Sequence, residues 1–152
     1  MTTLEEQVRD LFITIGNERG DCNHSIGKAN FYAVKKDGTY RLVHTENDIY
    51  DGLDNLPSIV TLLAGDMAIA IETTGWAAPI DHDADEDDQV APSQHPQRKR
   101  VRLMSMVTRT YEVASAMGFA DDKEVITDGG DARGTLADAL LVTMTMMVSK
   151  TN

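Results

Sequence analysis

The sequence predicts a single α+β domain: an antiparallel sheet of about five strands flanked by three helical segments, in the order α-β-β-α-β-β-β-α. Three observations predict it. Amphipathic helical spacing marks the two ends of the chain, Lys36-Asp37-Gly38 carries a hairpin signal, and alternating β-type runs fill the middle. At 152 residues the chain has the length of one domain, 1–152, and can bury a core without disulfides or metals.

Thr3 and Glu6 have the spacing of a capping box, and Leu4, Val8, Leu11, Phe12 and Ile15 then recur on one helical face. The stretch 16–28 is rich in Gly, Asn, Asp and Ser without apolar period, and reads as a loop. Phe31–Val34 and Tyr40–Thr45 are β-type runs on either side of Asp37-Gly38, which predicts a hairpin. Asp48 suits a cap, and Pro57 suits the first position of a helical turn ahead of Ile59, Val60, Leu62 and Leu63. A second helical region is therefore expected over 49–64, broken at Pro57 and ended by Gly65.

Met67, Ile69 and Ile71 alternate with Ala68, Ala70 and Glu72 in a third strand running on toward Thr73-Thr74-Gly75-Trp76. From Asp81 to Lys99 no periodicity survives; this long loop, 81–99, is first acidic and then basic. Beyond it, Val101, Leu103 and Val107 fall on one face of a strand, with Arg100, Arg102, Met104 and Met106 on the other. The two arginines are expected on solvent, and Tyr111–Met117 is expected to return beside them. Asp121 to Gly134 reads as a turn-rich connection. Thr135 and Asp138 then sit at capping spacing before a closing helix with Leu136, Leu140, Leu141, Met144, Met147 and Val148.

This order of elements resembles the roadblock and profilin-like group of folds, in which an antiparallel sheet carries helices on its faces. Roadblock-type domains often pair, so the resemblance implies a homodimer. A second resemblance lies in the residues. Gly75-Trp76-Ala77-Ala78-Pro79, the run PSQHPQRKRVRL from Pro92 to Leu103, and Gly134-Thr135-Leu136-Ala137-Asp138-Ala139-Leu140 are similar to a pattern in small uncharacterised proteins of high-GC bacteria and their phages. That similarity implies a phage-related context and no particular reaction or ligand.

The net charge of −11 makes the average surface repel phosphate backbones and anionic membranes, so direct nucleic-acid binding is not expected. Hydrophobic residues make up 41% but aromatics only 5%, which predicts an aliphatic, Met-rich core. The one cysteine, Cys22, has no internal disulfide partner, and the start MTTLEEQVRD is acidic where a secretory signal is basic and then apolar. No apolar run approaches the roughly 20 residues of a membrane span. A cytoplasmic protein is expected.

Several chemistries fail on spacing. Asp81, Asp83, Asp85 and Asp87 imitate the start of a calcium loop, but Glu86 stands where its glycine belongs and Pro92 where its bidentate glutamate belongs. Cys22 and His24 supply two possible zinc ligands with no paired motif to complete them. Gly27-Lys28 lacks the upstream glycine and the following hydroxyl of a P-loop, and Gly129-Gly130 lacks a dinucleotide fingerprint. Ser93 and His95 have no nucleophile elbow around them. No catalytic residue, metal site or cofactor is expected.

The sharper feature is the basic cluster Arg98, Lys99, Arg100 and Arg102. If Arg100 and Arg102 share a solvent face, their forked donors suit phosphate or carboxylate; the commoner explanation is a charged sheet face that prevents edge pairing. Gly75 suggests a strand end where the backbone bends, and Trp76, the one tryptophan, is either core or the anchor of a binding surface. Met104, Met106, Met144, Met146 and Met147 provide an adaptable apolar face, for a dimer or for the core.

The expected site is therefore Gly75, Trp76, Pro92, Ser93, His95, Arg98, Arg100 and Arg102. The expected function is a non-catalytic protein-binding or regulatory module, homo-oligomeric, one form of which is an acidic inhibitor of a host protein. The alternative is a small-ligand-binding protein or an enzyme for an anionic substrate, built on the Arg98–Arg102 cluster with His95 as proton carrier.

Overall fold

The computed structural model describes residues 3–19, 28–77, 94, 96, 99–119, 125–129 and 135–151. Its elements run α1 (Leu4–Arg19), β1 (Ala29–Lys35), β2 (Tyr40–Glu46), α2 (Ile49–Ile59), β3 (Asp66–Ala77), β4 (Lys99–Thr108), β5 (Val113–Phe119), β6 (Ile126–Gly129) and α3 (Thr135–Thr151). The α+β class and the antiparallel sheet are as expected. The sheet has six strands in the spatial order β2-β1-β3-β4-β5-β6. The strand beyond the expected five is β6, which pairs with Ala114–Met117. It is too short to show a period, and Asp128-Gly129 within it carries turn chemistry.

Caps start the helices where the sequence places them. Thr3 Oγ1 accepts the Glu6 N–H at 3.1 Å, and Asp48 Oδ1 accepts the N–H groups of Tyr50 and Asp51 at 2.9 and 3.0 Å. The β1–β2 hairpin turns through Gly38 at φ +90°, a conformation that glycine adopts without penalty. Asp37 Oδ1 accepts from the Thr39 hydroxyl at 2.7 Å and the Thr39 N–H at 3.0 Å, and these bonds hold its carboxyl below the ordinary range.

Pro57 does not open a new helical turn, as the spacing suggested; it lies inside α2, which runs unbroken to Ile59. In a regular helix the carbonyl of Leu53 would take the N–H of residue 57, which proline lacks. The Thr143 hydroxyl of α3 donates to that carbonyl instead, at 3.3 Å, in a buried setting. The residue expected to break the helix thus provides the polar point on which a second helix docks.

Period-two alternation then divides the strands between two apolar layers. Val8, Leu11, Phe12 and Ile15 of α1 pack on Tyr32, Val34, Ala68, Ala70, Met104, Met106, Ala114 and Ala116. On the opposite face, Leu53 and Leu56 of α2 with Leu140, Met144 and Met147 of α3 pack on Phe31, Ile69, Ile71 and Val107. The sheet is covered on both sides by helices. Gly52 is the closest approach of α2 to the sheet: a Cβ there would lie 2.5 Å from Phe31 Cζ and 3.1 Å from Glu46 Cβ.

The segment between α2 and β3 is held by charge. Arg41 donates both Nη groups to the Asp66 carboxylate at 2.6 and 2.8 Å, and Asp66 Oδ2 also accepts the Leu63 N–H at 2.7 Å. The Arg41 guanidinium, ahead of the Leu63 amide, keeps the Asp66 carboxyl below its usual range. Arg109 adds bonds to the Asp66 and Leu63 carbonyls at 2.5 and 2.8 Å.

Two substitutions test this packing. Gly52→Ala forces α2 off Phe31 and lowers the unfolding free energy by about 1–3 kcal/mol in urea melts. Thr143→Val, which keeps shape and removes the donor, costs about 1–3 kcal/mol because the Leu53 carbonyl is left buried without it, whereas Thr143→Ser retains most of the stability.

Candidate functional site

The antiparallel register of β3 and β4 sets Gly75 opposite Val101, Trp76 opposite Arg100 and Ala77 opposite Lys99. Four of the residues singled out in the sequence, Gly75, Trp76, Arg100 and Arg102, therefore meet at one end of the two central strands. Pro92, Ser93, His95 and Arg98 lie outside the described residues, as does most of the loop 81–99, of which Gln94, Pro96 and Lys99 are described. Cys22, His24, the acidic run from Asp81 to Asp88 and Gly130 also lie outside them.

The expectation that Arg100 and Arg102 share a solvent face is overturned for Arg102. Arg100 is exposed, but Arg102 is 1% exposed. Alternation along β4 would separate solvent from core only if one sheet face were bare, and here α1 covers the face that Arg102, Met104 and Met106 share.

Burial of a guanidinium requires a counter-ion and filled donors, because each ion loses several kcal/mol of hydration on leaving water. Glu72, two residue pairs further along β3 and also 1% exposed, supplies the charge. Arg102 Nε donates to Glu72 Oε2 at 2.6 Å, and Nη2 stands 2.5 Å from the same oxygen. Nη1 donates to the Phe12 carbonyl at 2.7 Å, and the guanidinium carbon lies 4.1 Å from the centre of the Phe12 ring. The other carboxylate oxygen, Oε1, accepts from Asn30 Nδ2 at 3.2 Å and from the Tyr32 hydroxyl at 3.1 Å. Asn30 Oδ1 in turn accepts the Thr45 hydroxyl at 2.9 Å. The network joins α1, β1, β2, β3 and β4.

Both Glu72 oxygens accept hydrogen bonds and Arg102 is turned toward α1, so the charges of the pair face each other and the core. Sequence reasoning found Arg102 for the wrong reason and missed Glu72, Asn30 and Tyr32. A signal for Glu72 was present: it continues the Ala68, Ala70 phase of an otherwise apolar strand, where a charge demands a partner.

The remaining described surface offers grooves with no catalytic set. A groove of about 220 Å³ runs between α1 and the β1–β2 hairpin, with Leu11, Val34 and Met106 as floor and Asp10, Lys36 and Tyr40 at the rim. Its size falls below the roughly 300–1,000 Å³ of small-molecule sites. Tyr40 donates its hydroxyl to Glu18 at 2.5 Å across the far end of α1. His44 sits 3.0 Å from Glu46 Oε2 and 5.7 Å from the Phe31 ring, a local pairing within β2 and its neighbour. Among the described residues no group of three or more His, Cys, Asp or Glu side chains is placed to hold a metal. No helix among them is long and apolar enough to cross a membrane.

Comparison with known proteins finds no matching family model, no matching curated protein and no matching solved structure.

The ion pair is testable by a double-mutant cycle. Glu72→Leu alone strands a buried guanidinium and Arg102→Met alone a buried carboxylate, each costing about 3–5 kcal/mol, while the two combined lose far less than the sum, since an apolar pair needs no counter-charge. Urea unfolding reads both, and strictly additive losses would show that the two charges are not coupled.

Proposed function

We propose that this chain is a non-catalytic protein-binding module that meets its partner with the projecting end of the β3–β4 ribbon. The observation that carries this reading is the mismatch of strand lengths. Pairing of β1 with β3 stops at Thr73, and pairing of β5 with β4 begins at Val101. Among the described residues, Trp76–Ala77 and Lys99–Arg100 thus pair with each other beyond the last pairs of both neighbours, as a short two-stranded arm. The arm places Lys99 and Arg100 on a chain whose net charge is −11.

Arginine and tryptophan are enriched at protein interfaces, and Arg100 opposite Trp76 supplies both types at one pair of positions. Arg102, two pairs inward and opposite Thr74, anchors the arm's base to the core through Glu72. Burial of Arg102 also removes one of the two forked cations on which an anionic-substrate site would depend, which weighs against the enzyme reading. A cytoplasmic setting fits a lone cysteine that needs no pairing.

Site-specific photocrosslinking in living cells tests this. A crosslinking residue at position 100 is expected to trap a discrete protein adduct that the same residue at Asp54, on exposed α2, does not. With the adduct identified and purified, Arg100→Glu is expected to weaken the complex about tenfold or more, about 1.4 kcal/mol. Identical adducts from positions 100 and 54, or a complex indifferent to Arg100→Glu, would reject the arm as the contact.

A further inference from the structure

We propose that a cavity at the opposite end of β3 and β4 from the arm binds a free α-amino acid with an aliphatic or thioether side chain. The cavity measures about 290 Å³, at the lower bound of small-molecule sites, and lies between the first turn of α1 and the turn that joins β4 to β5. Leu4 and Met67 give it apolar walls, and Thr108, Arg109, Thr110 and Glu112 give it polar ones. Its two charged residues, Arg109 and Glu112, have opposite signs, yet among the described residues neither enters an ion pair.

The turn holds these two charges in place. Arg109 is pinned from behind: its backbone N–H donates to the Met67 carbonyl at 2.9 Å, Nε to the Asp66 carbonyl at 2.5 Å and Nη2 to the Leu63 carbonyl at 2.8 Å. Carbonyls fix the guanidinium without neutralising it, and only two of its five side-chain donors are spent on them. The end of the fork that carries Nη1 is left to take a carboxylate. Across the turn, the Glu112 N–H donates to Thr108 Oγ1 at 3.1 Å, and the Glu112 carbonyl accepts the Thr108 N–H at 3.0 Å. Between them Tyr111 stands at φ +67°, a conformation that glycine adopts freely and a bulky side chain only at a cost. Such strain persists where the surroundings over-determine it, and it collects at ligand sites. A simple anion in the cavity meets repulsion from Glu112, and a simple amine meets repulsion from Arg109. A ligand with both charges on one carbon and an apolar tail satisfies every wall: its carboxylate on Arg109, its ammonium on Glu112, its side chain against Leu4 and Met67. This site is separate from the β3–β4 arm and does not depend on it.

Titration of the isotope-labelled full chain with L-leucine or L-methionine, followed by amide NMR shifts, tests the proposal. Saturable shifts are expected at Leu4, Met67 and Arg109 to Glu112, with half-saturation at or below about 5 mM. N-acetyl-L-leucine, which lacks the ammonium, and L-leucinamide, which lacks the carboxylate, are each expected to bind severalfold more weakly. Glu112→Gln, at an exposed position, is expected to weaken L-leucine severalfold and not to weaken N-acetyl-L-leucine, because acetylation already removes the contact that the variant removes. The ligand series needs no variant, so the proposal stays testable should Glu112→Gln not fold. No saturation by about 20 mM, shifts confined to other surfaces, equal binding of L-leucine and either one-charge analogue, or a Glu112→Gln loss that is the same for L-leucine and its acetylated form would each overturn it.

Discussion

The guanidinium of Arg102 and the carboxylate of Glu72 hold two layers of this protein in one register. Apolar packing alone would let α1 slide or rotate over a floor of alanines and methionines, since such surfaces accommodate many similar arrangements. The bond from Arg102 to the Phe12 carbonyl, with the Phe12 ring against the guanidinium, fixes one point of α1 over one point of β4. On the strand side, Asn30 and Tyr32 tie the same carboxylate to β1. Such a buried pair adds little net stability over an apolar substitute; what it adds is a penalty for every other alignment.

That arrangement links the core to the proposed partner surface. The arm of β3 and β4 begins two residue pairs beyond Arg102, so its base is clamped from inside while its tip is flanked by no other strand among the described residues. Elsewhere the edges of the sheet are poorly suited to recruit a strand. The register of β1 with β2 shifts between Phe31 and Tyr32, and β6 is only four residues long. The proposed recognition therefore falls to side chains of the arm rather than to backbone edges.

Much of the fold is legible in the sequence because the local signals are strong. Thr3 with Glu6, Asp37 with Gly38, and Asp48 each dictate a local hydrogen-bond pattern that survives into the structure. Pro57 was misleading because its effect is decided elsewhere: the donor that relieves Leu53 comes from Thr143, and no local rule looks that far. Arg102 was misleading for a related reason. Period-two alternation says which residues share a face, but not whether that face is covered, and here both are. Of the expected site residues, the register places Gly75, Trp76, Arg100 and Arg102 near one end of β3 and β4, while Pro92, Ser93, His95 and Arg98 lie outside the described residues.

The two polar contacts that define the helix layers span the same distance along the chain. Phe12 waits for Arg102, and Leu53 waits for Thr143, each at a separation of 90 residues. On a ribosome adding about 5–20 residues per second, each carbonyl stays without its native donor for roughly 5–18 s after it emerges. During that interval α1 lacks the β4 and β5 part of its floor, and α2 lacks α3. Assembly of these two helix layers is therefore settled only when segments distant in the chain arrive.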